Sequence, residues 1–301
     1  TGGAGYVGTE IINKLCQEPS VEEIRVYDNL NRQNYNLFLG ARLQNNQKVK
    51  FIYGDILDSR NLKRALTGID VVYHLAAVVT TPFANTDPHF FEQVNHWGTA
   101  ELTYAIEESS VSKFIYLSSI GVYGTSNKTV TEETIPNPKT FYGISKLRGE
   151  QHVERLMDKL DTIIVRSGNV YGYSKGMRFD AVINKFAFES NFNNRISIHG
   201  NGKQKRSFVH VNTISTILSR LASTYLPSDI YNLAERNLEV LDIVDAFKEL
   251  IPDLEFSFIN QHLNLREIEL GLDLKIKKYI EFPEQSSFIN EMEVFLKQFS
   301  F

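Results

Sequence analysis

Ser118 and Ser119 stand side by side in the chain, and Tyr142 and Lys146 follow at a Tyr-x-x-x-Lys spacing. On a helix, positions i and i+4 share one face, so phenol and ammonium would lie together. A cation beside a phenol favours the phenolate and draws down a pKa that is ordinarily about 10. A tyrosine poised in this way removes a proton from a substrate hydroxyl while hydride leaves the same carbon, and Ser119 can hydrogen-bond the same oxygen. By itself the spacing is common and usually marks a solvated helix face. Its meaning comes from what surrounds it.

The opening run Thr1-Gly-Gly-Ala-Gly-Tyr-Val-Gly8 places glycines at 2, 5 and 8. Gly2 permits a tight turn, Gly5 lets a pyrophosphate approach the backbone beside Tyr6 and Val7 at a helix N-terminus, and Gly8 lets that helix pack closely. Asp28 lies 20 residues after Gly8, at the expected end of the second strand, where a carboxylate accepts hydrogen bonds from an adenosine ribose. It repels a 2′-phosphate, and the adjoining Asn29 and Leu30 add no cation, so NAD is expected over NADP. Asp55 and Ile56, and then Leu75, Ala76 and Ala77, follow two further strands. Small residues at strand ends let a flat ligand lie against backbone. His74, flanked by apolar residues, reads as a hydrogen-bonded core histidine rather than a catalyst.

The elements that must position these residues are legible in the apolar pattern. Buried strands are predicted at 23–27, 49–53, 70–75, 113–118 and 162–166, and helices at 6–18, 58–66, 88–109 and 142–160. Such alternation predicts the α/β class: a doubly wound parallel sheet with helices on both faces. A glycine turn of this kind should follow a mid-sheet strand, so a longer parent chain is expected. From residue 173 the rhythm breaks. Helical 179–189 precedes polar 190–195, a strand at 196–199, a Gly- and Lys-rich loop at 200–206 and an apolar run at 208–211. Helices at 211–223 and 240–250 flank a strand at 230–233, and a helix at 286–299 closes the chain. The expected organisation is a dinucleotide-binding domain over 1–172, to which the chain returns around 208–235, and a smaller α/β substrate lobe over 173–301.

With 301 residues, 42% hydrophobic and 23% charged, the chain can build a large core. A net charge of -4 gives no field for holding nucleic acid, so any phosphate must be met by local cations. The single Cys16 cannot form an internal disulfide, and no apolar run of membrane-spanning length occurs. A soluble cytoplasmic protein with no membrane, nucleic-acid or metal partner is expected.

Thr-Gly-Gly-Ala-Gly-Tyr-Val-Gly, Tyr-His-Leu-Ala-Ala, Asn95-x-x-Gly98-Thr99, Ser-Ser-x-x-Val-Tyr-Gly124 and Tyr-Gly-x-Ser-Lys together resemble the extended short-chain dehydrogenase/reductases. The chain is most similar to their NAD-dependent epimerase/dehydratase branch, which includes UDP-glucose 4-epimerase. The resemblance runs over nearly the whole chain, in order. It implies a triad of Ser119, Tyr142 and Lys146, a place for Asn95 in the cofactor pocket, and a second role for Lys146 in holding the nicotinamide ribose. Arg166-Ser-Gly-Asn-Val-Tyr-Gly172 implies that Asn169 faces a substrate diphosphate. Gly200-Asn-Gly-Lys-Gln-Lys-Arg206-Ser-Phe-Val-His-Val211 implies a diphosphate clamp at Arg206, where a guanidinium fork suits phosphate oxygens. Arg266 is a loose candidate for a last substrate contact. A homodimer joined through the two long helices is implied as well.

Departures from the family pattern matter equally. Dehydratases of this group carry Asp-Glu directly after the catalytic hydroxyl residue, and here those positions are Ile120 and Gly121; an Asp expected after the diphosphate arginine is Ser207. Dehydration is therefore not expected. The leading expectation is an NAD-dependent nucleotide-sugar epimerase acting at C4 through a 4-keto intermediate. A one-way reductase or dehydrogenase would use the same triad. A non-catalytic dinucleotide-binding scaffold would have no need of all three triad residues.

Overall fold

The computed structural model describes residues 1–40, 42–79, 87–126, 128–260 and 267–301. The first half alternates helix and strand: α1 (Tyr6–Gln17), β1 (Ile24–Asp28), β2 (Val49–Tyr53), α2 (Ser59–Leu66), β3 (Val71–His74), α3 (Pro88–Phe91), α4 (Gly98–Glu107), β4 (Lys113–Ser119), α5 (Phe141–Glu154) and β5 (Asp161–Ser167). Then come β6 (Asn169–Tyr171), α6 (Val182–Asn193), β7 (Arg195–His199), β8 (Lys205–His210), α7 (Val211–Arg220), β9 (Asp229–Leu233), β10 (Arg236–Glu239), α8 (Val240–Leu250), β11 (Glu255–Ile259) and α9 (Phe288–Leu296). Four strands run parallel in the order β3-β4-β5-β9, and β1 pairs parallel with β2. Thr1 and Gly2 join the two groups: Thr1 bonds to Tyr73 and Leu75 at the end of β3, and Gly2 donates to the Tyr27 carbonyl of β1 at 2.9 Å.

Side-chain alternation along β4 shows why the sheet is covered twice. Phe114 and Tyr116 face a core with Leu62 and Leu66 of α2, Leu102 and Ile106 of α4 and Val153 of α5. Ile115 points the other way, into a core with Ile11 and Leu15 of α1 and Ile214 and Ile217 of α7. A third core, around Phe186, Ile196, Phe247 and Phe295, belongs to α6, β7, α8 and α9. Beside it lie the short sheets β10-β8-β6 and β11-β7. No described helix is long and apolar enough to cross a membrane.

Several predicted bounds shift. The helix expected over 88–109 is interrupted by a π-helical stretch, Glu92–Trp97, between α3 and α4. The helix after Tyr142 ends at Glu154, α7 and α9 are shorter than expected while α8 keeps its expected bounds, and α6 runs on to Asn193, whose successor Asn194 takes a left-handed conformation. Arg206, expected in a loop, sits in β8; β6 and β10 are strands without a clear apolar pattern in the sequence, and β11 alternates Phe256 and Phe258 with polar residues, a pattern the expected elements do not include.

Candidate active site

A cleft of about 790 Å³ runs along the carboxyl ends of β1, β3 and β4, with one wall formed by β6, β8 and the segment entering α6. At one end is the glycine turn. Gly2 has φ +73, and a Cβ there would stand 2.4 Å from the Ala76 nitrogen. A Cβ on Gly8 would meet Gly3 and the Gly2 carbonyl at 2.7 Å, so α1 approaches the turn more closely than any side chain would allow. No side chain caps α1, whose first backbone N–H groups at Tyr6 and Val7 border the cleft. That is an anion site at the positive end of a helix.

Asp28 closes β1. Its carboxylate accepts from the Ala4 amide at 3.0 Å and the Leu30 amide at 2.8 Å, which fixes its direction in the cleft wall. Asn29 donates to Asp55 at 3.0 Å, so the ends of β1 and β2 are tied together, and Ile56, Leu75, Ala76 and Ala77 line the same wall. A glycine cradle, an uncapped helix start and a strand-end carboxylate fit a dinucleotide. Tyr6 does more than border the turn: its buried hydroxyl donates to the Gly172 carbonyl and receives Asn184, linking α1 to the smaller lobe.

Asn95 lies elsewhere than expected. It is fully buried and absent from the cleft wall. Its carboxamide oxygen accepts from the Val78 amide at 2.8 Å, and its nitrogen donates to the Val78 carbonyl at 2.9 Å and to Ser145 at 3.1 Å. It therefore shapes the strand-end segment that lines the cleft from behind. His74 is likewise buried, between the hydroxyls of Thr1 and Thr99.

Ser119, Tyr142 and Lys146 converge mid-cleft. Thr140 caps α5 by accepting from the Gly143 amide at 2.9 Å, which sets where the helix starts and so where Tyr142 points. Burial pushes the Tyr142 pKa up, while a hydrogen bond from Ser119 and the charge of Arg178 pull it down. The expected depression by Lys146 is not what sets it. Lys146 is 1% exposed and spends its ammonium on the Leu117 carbonyl at 2.7 Å and on the face of Tyr116 at 4.0 Å. Burial lowers its own pKa to about 7, with Glu150 acting upward.

On the opposite wall, Asn169 in β6 donates to the Ser207 carbonyl at 3.0 Å and borders the cleft with Arg206 of β8. Arg266 lies outside the described residues. Ser207 is buried and bonds Asn237 at 2.7 Å and the Leu270 amide at 2.9 Å, so it serves the lobe's own backbone. Arg178 and Asp180 belong to no motif read from the sequence, yet both line the cleft as a bidentate pair at 3.0 and 2.6 Å. A cation and an acid two residues apart ahead of an apolar helix were the only signal available.

Residues 1–234 match the NAD dependent epimerase/dehydratase family. The chain belongs to that family, and the dinucleotide its cleft serves is NAD. It is 34% identical over 259 residues to human dTDP-D-glucose 4,6-dehydratase, covering 83% of this chain and 72% of that one. It is 30% identical over 259 residues to a putative UDP-glucose 4-epimerase of Methanocaldococcus jannaschii, covering 83% and 81%. Its fold is that of UDP-glucuronic acid 4-epimerase from Bacillus cereus, solved with a fluorinated UDP-sugar and NAD. The TM-score is 0.87 at 22% identity, with 99% and 98% of the two chains covered.

Proposed function

We propose that the chain is a nucleotide-sugar 4-epimerase working through a transient 4-keto sugar. The observation carrying this reading is the environment of the two catalytic hydroxyls. Ile120 is buried among Val122, Tyr123 and Leu270, and Gly121 has only hydrogen where a Cβ would stand 3.4 Å from the Ser119 Oγ and 3.7 Å from the Tyr142 ring. Neither position can deliver a proton to a departing hydroxyl. Of the described carboxylates lining the cleft, Asp28 and Asp55 stand at the dinucleotide end. Burial raises the pKa of the third, Asp180, but its hydrogen bond to Arg178 and that cation's charge outweigh burial and hold it ionised.

In this reading the diphosphate is gripped by Asn169 and Arg206, with Arg266 as a further candidate contact, which leaves the sugar as the mobile part. Tyr142 as phenolate takes the proton of the C4 hydroxyl, and Ser119 hydrogen-bonds the same oxygen throughout. Bound NAD supplies the hydride acceptor and then the hydride donor at C4. Beside its bond to the Leu117 carbonyl, Lys146 takes a contact with the ribose side of that cofactor in this reading. The neutral 4-keto sugar turns within the cleft while its anchor stays, and Tyr142 returns the proton when the other face is presented.

The likeness to dehydratases supports a second reading, in which water is lost and a 4-keto-6-deoxy sugar is released. Purified protein incubated with a panel of nucleotide sugars and no added cofactor separates the two by chromatography and mass. Interconversion of a 4-epimeric pair at constant mass is expected, falling about 10²- to 10⁴-fold in Tyr142→Phe. A product lighter by one water would replace the epimerase with the dehydratase. Turnover only with added NADH or NADPH would make it a reductase. Dinucleotide binding with no turnover would leave the scaffold.

We also infer a homodimer through α4, α5 and the turn before them. Trp97 and Tyr104 are 55% and 43% exposed there, an apolar face on otherwise packed helices.

A further inference from the structure

Beneath the reacting groups lies a buried charge that the mechanism above does not use. Glu150 is 0% exposed and follows Lys146 by one helical turn on α5. One carboxylate oxygen accepts from the Ser118 hydroxyl at 2.5 Å and the Arg166 Nε at 3.0 Å, and the other accepts from Arg166 Nη2 at 2.6 Å. Ser118 and Arg166 are register partners across β4 and β5, so this one carboxylate fastens α5 to the last rungs of both strands. The far side of Arg166 stacks on Tyr123 at 4.8 Å, and the Tyr123 hydroxyl donates to Asn232 of β9 at 2.8 Å.

The spacing along α5 is what gives this arrangement consequence. Tyr142, Lys146 and Glu150 recur every fourth residue, on one face. Tyr142 meets Ser119, Lys146 grips the Leu117 carbonyl, and Glu150 grips Ser118. Three successive residues at the end of β4 are thus each held by one residue of the helix. A buried ion pair is a poor way to gain stability, since apolar residues of similar volume often do as well or better. Its retention directly behind a catalytic strand end calls for another role.

We propose that Glu150 is a positioning residue for this reaction centre: through Ser118 and Arg166 it registers α5 on the end of β4 so that Tyr142 meets Ser119, and it sets a carboxylate one helical turn from Lys146. The role rests on the triad assignment made above. Lys146 is faced by His74 from β3, Tyr116 from β4 and Glu150 from its own helix, with Arg166 of β5 behind Glu150. Of these, Glu150 supplies the negative charge, and it opposes the burial that draws Lys146 down.

The first test reads Lys146 directly, so that it does not depend on finding a substrate. In the NAD-loaded protein carrying lysine labelled with ¹³C at Cε, the Lys146 signal, assigned through Lys146→Arg, is titrated against pH. In Glu150→Gln its midpoint is expected to fall by about one pH unit, the size of effect of losing a nearby opposite charge. Glu150→Asp should restore most of it. Because Glu150→Gln leaves Arg166 buried without its partner, Glu150→Gln/Arg166→Met is titrated alongside it, with thermal melting to establish that it folds. A midpoint lower in that double variant than in Arg166→Met supports the proposal, and equal midpoints in these two folded variants overturn it. Ser118→Ala tests the other half: kcat should fall with KM and the Lys146 midpoint unchanged, and an unchanged kcat would remove the positioning claim. If Lys146 titrates as expected but Tyr142→Phe is as active as the parent, the triad reading fails rather than the link between Glu150 and Lys146.

Discussion

In the proposed reaction Tyr142 loses its proton in a place that discourages charge. Burial raises its pKa, and the compensation comes from Ser119 and from Arg178 across the cleft. Arg178 is therefore a tuning cation as well as a wall residue, and it sits on the lobe opposite α5. Removing it raises the Tyr142 pKa, so the acid limb of the pH–rate profile should move to higher pH. For Arg178→Met a shift of roughly half to one unit is expected, within the range for a nearby cation. Rates measured from pH 5 to 10 decide the matter, and an unmoved limb would mean that Arg178 does not act on the phenol.

At the scale of elements, the π-helical stretch before α4 is the least regular part of the larger core and one of the most consequential. An extra residue in a turn re-aims side chains, and such stretches are frequent at functional sites. Here it directs Asn95 inward to both backbone groups of Val78. Gly98, just after it, lets the helix approach Ile56, whose Cγ2 would be 2.5 Å from an added Cβ. Asn95→Leu would strand the Val78 amide and carbonyl, at a cost of about 2 kcal/mol. Thermal melting should show that loss, and isothermal titration should show NAD affinity weakened about tenfold by the loosened strand end. Full NAD affinity in a destabilised variant would confine Asn95 to the core.

For the whole molecule, the cleft needs both lobes. The dinucleotide side is built by the ends of β1 to β4, and Asn169, Arg178 and Arg206 come from the other wall. Tyr6 bridges the two through Gly172 and Asn184, which places the turn and the smaller lobe on one scaffold. The proposed dimer buries the exposed face of the π-helical stretch and α4, where Trp97 stacks on His96 at 4.6 Å. Analytical ultracentrifugation should give twice the 34.4 kDa chain mass. In Trp97→Asp, dissociation should strengthen by at least ~30-fold, the effect of losing an aromatic anchor of about 2 kcal/mol. A parent that sediments as a single chain would remove the dimer.

The sequence by itself determined what depends on neighbours along the chain. Glycines at 2, 5 and 8 define the turn because the lack of a Cβ is a local property, and the i, i+4 spacing of Tyr142 and Lys146 survives in any helix. Strand and helix types in the first half followed from apolar periodicity, since each sheet face needs cover. Tertiary structure decided what depends on residues far apart in the chain. Asn95 turned from the cofactor to Val78, 17 residues away, and Lys146 turned to the Leu117 carbonyl, 29 residues away. The short strands β6 and β10 owe their conformation to partners rather than to a pattern of their own. Spacing alone points to Lys146 as what sets the Tyr142 pKa, whereas burial raises it and the distant Arg178 lowers it, and no local pattern contains either. Burial and long-range pairing exist only once the chain has folded.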